Sequence, residues 1–240
     1  MDKIKTTFIS DTHTLHKRLN LPGGDLCCFT GDYMGSGYVV QEMMDFIDWL
    51  VEHVSPKYKY VVLVAGNHDR LLEAYPDYQV KDMFGRKDNI IYIKDETVEL
   101  DFGEKGKLKI SGTPFQPFFC SWAFNVKDSD KLQFIFDNVV EEDIDILLTH
   151  CPVFSILDQT HEPKPYFNST GEEHLGSIEL YNVLQSRQKP PRYHCFGHIH
   201  GDGGKHVKIG ETTYINASIC NEAYKPVNSI VTLEIDGRCE

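Results

Sequence analysis

Five short polar clusters carry the residue types that bind metal: Asp11-Thr12-His13, Gly31-Asp32, Gly66-Asn67-His68-Asp69, His150 and Gly197-His198-Ile199-His200. Carboxylates, imidazoles and amide oxygens are ligands for hard or borderline divalent ions. One D-x-H or H-x-H pair is more often a turn or a surface feature. Five clusters in this order, each after an apolar run, point instead to a metal site assembled from distant parts of the chain. In an extended segment Asp11 and His13 project to one face, and so do His198 and His200, because side chains alternate. The glycines before Asp32, Asn67 and His198 are expected to allow sharp turns off the strand ends.

The elements that must position these clusters are legible as apolar runs. Residues 4–10, 26–30, 60–65, 144–149 and 193–196 read as buried strands, each ending in one of the clusters. Met43, Ile47, Leu50, Val51 and Val54, with Val40 before them, follow helical spacing, which predicts a helix over 39–54. Helices are also expected at 129–139 and 176–187. Shorter strands are expected at 90–93, 97–101, 107–111, 206–209, 212–216 and 230–235, with hairpins around Asp95-Glu96 and Gly103–Gly106. Residues 158–175, with Pro163 and Pro165, read as a long polar loop. Strand–turn–helix–strand rhythm in the first half predicts a partly parallel sheet. Sites in open α/β sheets gather at the carboxyl ends of strands, so the clusters are expected to converge.

Composition sets the outer limits. The 240 residues carry 24 Lys and Arg against 36 Asp and Glu, a net charge of −12, with 41% hydrophobic and 12% aromatic residues. That is a globular composition, and residues 1–240 are read as one domain. The acidic balance argues against a long nucleic acid or a membrane surface as partner. No apolar run approaches the ~18–20 residues needed to span a bilayer, and the opening residues do not read as a leader. Seven cysteines with no CxxC pair fit a reduced, cytoplasmic compartment. Oligomeric state is not set by the sequence.

The ordered set D-x-H, G-D, G-N-H-D, H, G-H-x-H resembles the calcineurin-like metallophosphoesterase superfamily, with all five blocks intact over residues 8–200. Ile9-Ser10-Asp11-Thr12-His13, Ala65-Gly66-Asn67-His68, the aromatic loop 112–125 and Tyr214-Ile215-Asn216-Ala217-Ser218 are similar to its small metallophosphoesterase-domain-containing branch. The resemblance implies a four-layer α/β/β/α sandwich of two mixed sheets flanked by helices. It also implies two divalent metal ions, with Mn expected and Fe or Zn as alternatives. Asp11, His13, Asp32 and His200 would hold one ion, and Asp32, Asn67, His150 and His198 the other, with Asp32 bridging. Such a pair, ~3.5–4 Å apart, binds phosphate oxygens and activates a water for in-line attack. His68 would be the general acid at the leaving group, oriented by Asp69 through its second ring nitrogen.

Two departures bear on the substrate. The protein phosphatases of this superfamily place a phosphate-gripping arginine after Gly-Asp, where this chain has Gly31-Asp32-Tyr33-Met34-Gly35. They also carry Glu where Asp69 stands. The resemblance therefore favours a phosphodiesterase acting on small, including cyclic, nucleotide diesters. A phosphomonoesterase or protein phosphatase is the alternative, and a nuclease or a non-catalytic scaffold fits less well. Arg70, Phe118 and Trp122 are the candidate substrate contacts, with a helix-start surface position as the alternative for Arg70, and Phe118 and Trp122 are the expected exposed rings among Phe115, Phe118, Phe119, Trp122 and Phe124. His16 and His174 are candidates for the pocket mouth, with structural roles as the alternative. Cys151 and Cys195 are expected as buried neutral thiols, and Asn216 and Asn221 as hydrogen-bond supports near the site. Two divalent ions against the Asp11 and Asp32 carboxylates leave a local charge of about +2, a positive well in an acidic shell that suits a small phosphate ester.

Overall fold

The computed structural model describes residues 2–161 and 173–238. A first sheet runs in the order β13 (Val231–Ile235), β1 (Ile4–Ile9), β2 (Gly24–Thr30), β3 (Tyr58–Val64), β4 (Ile90–Tyr92). All its neighbours pair parallel except β13 on β1. A second sheet runs β11 (Lys205–Ile209), β12 (Thr212–Asn216), β10 (Tyr193–Phe196), β9 (Ile146–Thr149), β6 (Lys107–Thr113), β5 (Glu96–Asp101), and the short β7 (Gln116–Pro117) and β8 (Asn125–Val126) pair with each other. Its inner four strands are parallel and its two outer strands antiparallel to their neighbours.

Alternation explains why the central strands read as unbroken apolar runs. Leu26, Cys28, Val62 and Val64 face the second sheet, where they meet Ile110, Ile146, Leu148 and Cys195. Their neighbours Cys27, Phe29, Val61 and Leu63 face outward onto α1 (Val40–Trp49), α2 (Arg70–Ala74) and α3 (Asp77–Phe84). On the far side, Leu147 and Phe196 pack under α4 (Ser129–Val139) and α5 (Ile178–Ser186). Strands covered on both faces need no polar side, and the result is the expected helix–sheet–sheet–helix order. Asp128 and Ser177 cap α4 and α5, their side chains accepting from the Lys131 and Leu180 N–H groups. Among the described residues no helix is long and apolar enough to cross a membrane.

Several elements differ from the sequence reading. The helix expected over 39–54 is α-helical only to Trp49 and continues as a π-helical turn, Leu50–Val54. Val40 at its start is 48% exposed, so the apolar stripe begins at Met43. The hairpin at Gly103–Gly106 forms between β5 and β6. The one at Asp95-Glu96 does not: β4 belongs to the first sheet and β5 to the second. Asp95, at φ 54°, turns the chain between them, and its N–H donates to Gly112 O at 2.9 Å. α2 begins at Arg70, the helix start held as the alternative role for that residue, and α3 is not among the expected helices. The polar loop expected at 158–175, with Pro163 and Pro165, lies mostly outside the described residues.

Candidate metal centre

The five clusters meet where the carboxyl ends of β1, β2, β3, β9 and β10 come together. The two sheets are joined at that point by backbone bonds. Ser10 N–H donates to Ala217 O at 2.8 Å, and Ile219 N–H to Ser10 O at 3.0 Å. Asp11, His13 and His200 bring one ligand atom each within 4.8 Å of one another, and so do Asp32, His150 and His198. Asp32 lies between the two groups, with Oδ1 3.3 Å from His150 Nε2 and Oδ2 3.9 Å from His13 Nε2. Asn67 joins the second group, its Oδ1 2.8 Å from His150 Nε2 and 2.7 Å from His198 Nδ1.

The convergence is not achieved by strand alternation. Asp11 (φ 54°), His13 (φ 40°), Asp32 (φ 55°) and His198 (φ 67°) all occupy the left-handed region. The chain turns each side chain inward at a backbone cost of about 1–3 kcal/mol per residue. Gly31, at φ 97°, provides the sharp turn expected of it, while the other two glycines serve a different purpose. Gly66 and Gly197 have ordinary φ, but a Cβ on Gly66 would strike Asp32 Oδ1 and one on Gly197 would strike Asp11 Oδ2. They are there so that ligand carboxylates can lie against bare backbone.

The donor set fits a cation on its own chemistry. A carbonyl oxygen only accepts, so the rings of His13, His150 and His200 must carry their protons on Nδ1, donating to Met34 O, Thr30 O and Asn221 O. In the neutral rings this leaves Nε2 lone pairs pointing inward, open to a proton or a metal ion. His13 Nε2 and His200 Nε2 then face each other at 3.3 Å, and His150 Nε2 faces two oxygens, Asn67 Oδ1 and Asp32 Oδ1. Such a convergence of acceptors is repulsive unless positive charge sits among them. Burial alone would raise the Asp11 carboxyl, but the hydrogen bond and charge of His200 outweigh it and hold it below the usual carboxylate range. Burial would depress His150, yet the Asp32 charge lifts it to about 9, while burial drives His13 down to about 4. The site draws positive charge inward, as a proton or as a metal ion.

The surrounding contacts correct one expected role and add others. Asp69 does not touch the His68 ring. Its carboxylate accepts four backbone N–H bonds, from Asp32 (2.9 Å), Tyr33 (2.9 Å), Met34 (3.1 Å) and Gly66 (2.7 Å). It thus clasps the Asp32 turn to the Gly66 turn. His68 Nδ1–H donates instead to Gly35 O, and His68 N–H to Asp32 Oδ1 at 2.7 Å. Ser218 Oγ donates to Asp11 Oδ2 at 2.7 Å. Asn216 braces the last turn through Ile199 O and Leu157 O. Asn221 supports the site through its backbone carbonyl rather than its amide. Carbonyl partners leave no trace in a sequence, since every residue has one. Ser218 is one serine among many in the sequence, with nothing there to show that its hydroxyl meets Asp11.

A cavity of about 640 Å³ opens over the donors. His13, Asp32, Asn67, His68, His198 and His200 line its floor, and Phe118, Phe119 and Trp122 form one wall. Phe118 is 45% and Phe119 38% exposed, Trp122 is half-buried, and Phe124 is core. Tyr224 and Glu222, unremarked in the sequence, also face the cavity. Arg70, expected to meet a substrate phosphate, is not among the lining residues; its guanidinium stacks on Trp122 and Tyr38. His16 is not at the mouth either. It is buried against Phe46 and Trp49. His174 pairs with Asp158 at 2.6 Å. Cys151 and Cys195 are buried thiols whose burial pushes them well above the ordinary thiol range.

The profile of calcineurin-like phosphoesterases matches residues 4–202, a span that takes in every one of these donors. The chain belongs to the calcineurin-like phosphoesterase family. Metallophosphoesterase domain-containing protein 1 of Homo sapiens is 32% identical over 95% of this chain and 69% of its own length, and the Mus musculus protein matches equally. Phosphopantetheinyl hydrolase from Mycobacterium tuberculosis shares the fold, with a TM-score of 0.52 at 13% identity over 97% of this chain and 96% of that one. This calcineurin-like phosphoesterase is by class a metal-dependent phosphoric ester hydrolase, and its donor set fits a divalent metal centre.

Proposed function

We propose that this phosphoesterase is a phosphodiesterase for small nucleotide-type diesters, cyclic nucleotides among them, with two divalent ions at the converged donors. Asp11, His13, Asp32 and His200 would hold one ion, and Asp32, Asn67, His150 and His198 the other, with manganese as the proposed metal. When bound, the ions supply Lewis acidity and an activated water for in-line displacement at phosphorus. His68 stands at the cavity floor, with its ring tied by Nδ1 to Gly35 O, so Nε2 is the nitrogen free to hand a proton to a departing oxygen.

One observation carries the preference for diesters. Among the described residues the cavity lining contains no lysine or arginine, and it does contain Glu173 and Glu222. A phosphomonoester is close to a dianion at neutral pH, and arginine or lysine is the side chain that makes the strong charge-assisted hydrogen bonds to such a group. A diester has a single negative charge and needs none. Tyr33, where the protein phosphatases continue toward their arginine, is turned into the core and stacks on Phe46 at 4.1 Å. The aromatic wall gives a base or aryl group a surface to stack on.

The test is a panel of a bis-aryl diester, the matching aryl monoester and cyclic nucleotides, assayed with Mn²⁺, Fe²⁺ and Zn²⁺ and with a chelator blank. At least tenfold higher kcat/KM for diester than monoester is expected. Equal or higher monoester turnover overturns the diester reading.

A further inference from the structure

His68 and Arg70 meet the same indole. The His68 ring lies against Trp122 with centroids 4.0 Å apart and planes at 21°. The Arg70 guanidinium carbon lies 4.5 Å from the centre of the Trp122 ring and 4.9 Å from that of Tyr38. In a chain with 36 acidic residues, this arginine is seated on two aromatic rings, and its buried Nε has no hydrogen-bond partner among the described residues. A planar guanidinium can lie flat on a ring in a way an ammonium cannot.

Among the described residues, His68 is the one ring and Arg70 the one cation that meet the Trp122 indole. Trp122 follows Cys120 (φ 49°) and Ser121 (φ 53°), two exposed residues in left-handed conformation, on the loop that carries the cavity's aromatic wall. The loop is anchored behind Trp122, where Ala123 N–H donates to Asn67 O at 3.1 Å and Phe124 N–H to Glu73 Oε1 at 2.7 Å. Those bonds fix the backbone beside the His68 segment but do not fix the ring. His68 in turn is held at Nδ1 by Gly35 O and at one edge by His13, with ring centroids 4.8 Å apart. Trp122 is what bears on its face.

We propose that Tyr38, Arg70 and Trp122 form a clamp that holds the His68 ring in line with the departing oxygen, which makes Arg70 a positioning residue and not a phosphate contact. The inference rests on the reading of His68 as general acid. A misaligned acid matters most when the leaving group is basic and needs the proton, and little when it departs readily as an anion.

The experiment measures kcat and KM for Arg70→Ala, Arg70→Lys and His68→Ala on aryl methyl phosphodiesters spanning nitrophenol to phenol leaving groups, at saturating Mn²⁺. Arg70→Ala is expected to lower kcat at least tenfold for phenol and no more than about threefold for nitrophenol, with KM within twofold throughout. Arg70→Lys is expected to behave like Arg70→Ala. Trp122 emission should shift to the red in both, against the constant signal of Trp49, which is 5% exposed in the core. If Arg70→Ala does not fold, Tyr38→Ala at a 69% exposed position is expected to give the same pattern at smaller size. A raised KM with kcat unchanged makes Arg70 a substrate contact and overturns the clamp. An equal loss across the series also overturns it. If His68→Ala shows no dependence on the leaving group, the underlying reading of His68 fails, whatever the Arg70 variants do.

Discussion

His13 Nε2 and His200 Nε2 face each other at 3.3 Å, while the opposite nitrogen of each ring donates to a backbone carbonyl, Met34 O and Asn221 O. Two lone pairs held that close by independent anchors are a cradle for a cation. The same holds for His150 and Asn67, whose nitrogen and oxygen meet at 2.8 Å with Asp32 alongside. The stability of the fold at this point should therefore depend on metal.

Removal of metal by a chelator should lower the melting temperature, and added Mn²⁺ should raise it with concentration. At a hundred times the dissociation constant the gain is about 2.7 kcal/mol. Calorimetric scans at several Mn²⁺ concentrations check this. A melting temperature indifferent to both treatments removes the cradle from the account.

Asp32→Asn should weaken both ions together, because its two oxygens face His150 and His13 separately. Elemental analysis of the purified variant should show fewer than one ion per chain at Mn²⁺ levels that fill the parent protein. Two tightly held ions in that variant contradict the bridging role.

Ser218→Ala leaves Asp11 Oδ2 without its 2.7 Å hydroxyl donor. Loss of a hydrogen bond that orients a ligand typically weakens metal affinity by about 10–100-fold. The weakening should fall on the ion beside Asp11 and leave the other in place. A titration that separates the two binding steps measures it.

Low pH should destabilise the protein through two buried histidines remote from the cavity. Burial drives His194 down to about 3 and His16 down to about 4. His194 Nε2–H donates to Thr149 Oγ1 at 2.8 Å, and its buried Nδ1 has no partner among the described residues. Both are neutral when folded and protonate near 6.5 when unfolded, so the unfolded chain binds more protons below that pH. Their contribution is present above pH 6.5 and is lost progressively as pH falls toward 4, at up to about 1.4 kcal/mol per pH unit for each histidine. Denaturation midpoints across pH 4–7 in His194→Gln should show a shallower slope than the parent. An unchanged slope argues against a neutral His194.

The strands that carry the donors were legible because each is buried on both faces and breaks off at a polar cluster. Leu26 to Thr30 before Asp32 is the plainest case. α2 shows in the sequence only as a helix start at Arg70 and α3 not at all, because five and eight residues are too short for a periodic stripe to emerge. The chain crosses from one sheet to the other at Asp95, which resembles a hairpin turn in sequence, since the same residue types serve both. The donors themselves could be identified by type, but their approach could not. Alternation suggested an extended Asp11–His13 segment, where the backbone is in fact left-handed. The resemblance implies that Asp69 orients His68, yet on this tight turn neighbouring side chains diverge, and its carboxylate reaches the backbone of the Asp32 turn instead.

The central claim is a two-ion centre with His68 as its acid. Metal content and diester turnover of His68→Ala, measured on one preparation, test it most directly. The account predicts two divalent ions per chain, as in the parent protein, with kcat on a phenol-leaving diester reduced by about 10²–10⁴. Full turnover with both ions bound, or loss of the ions with the imidazole, would contradict it.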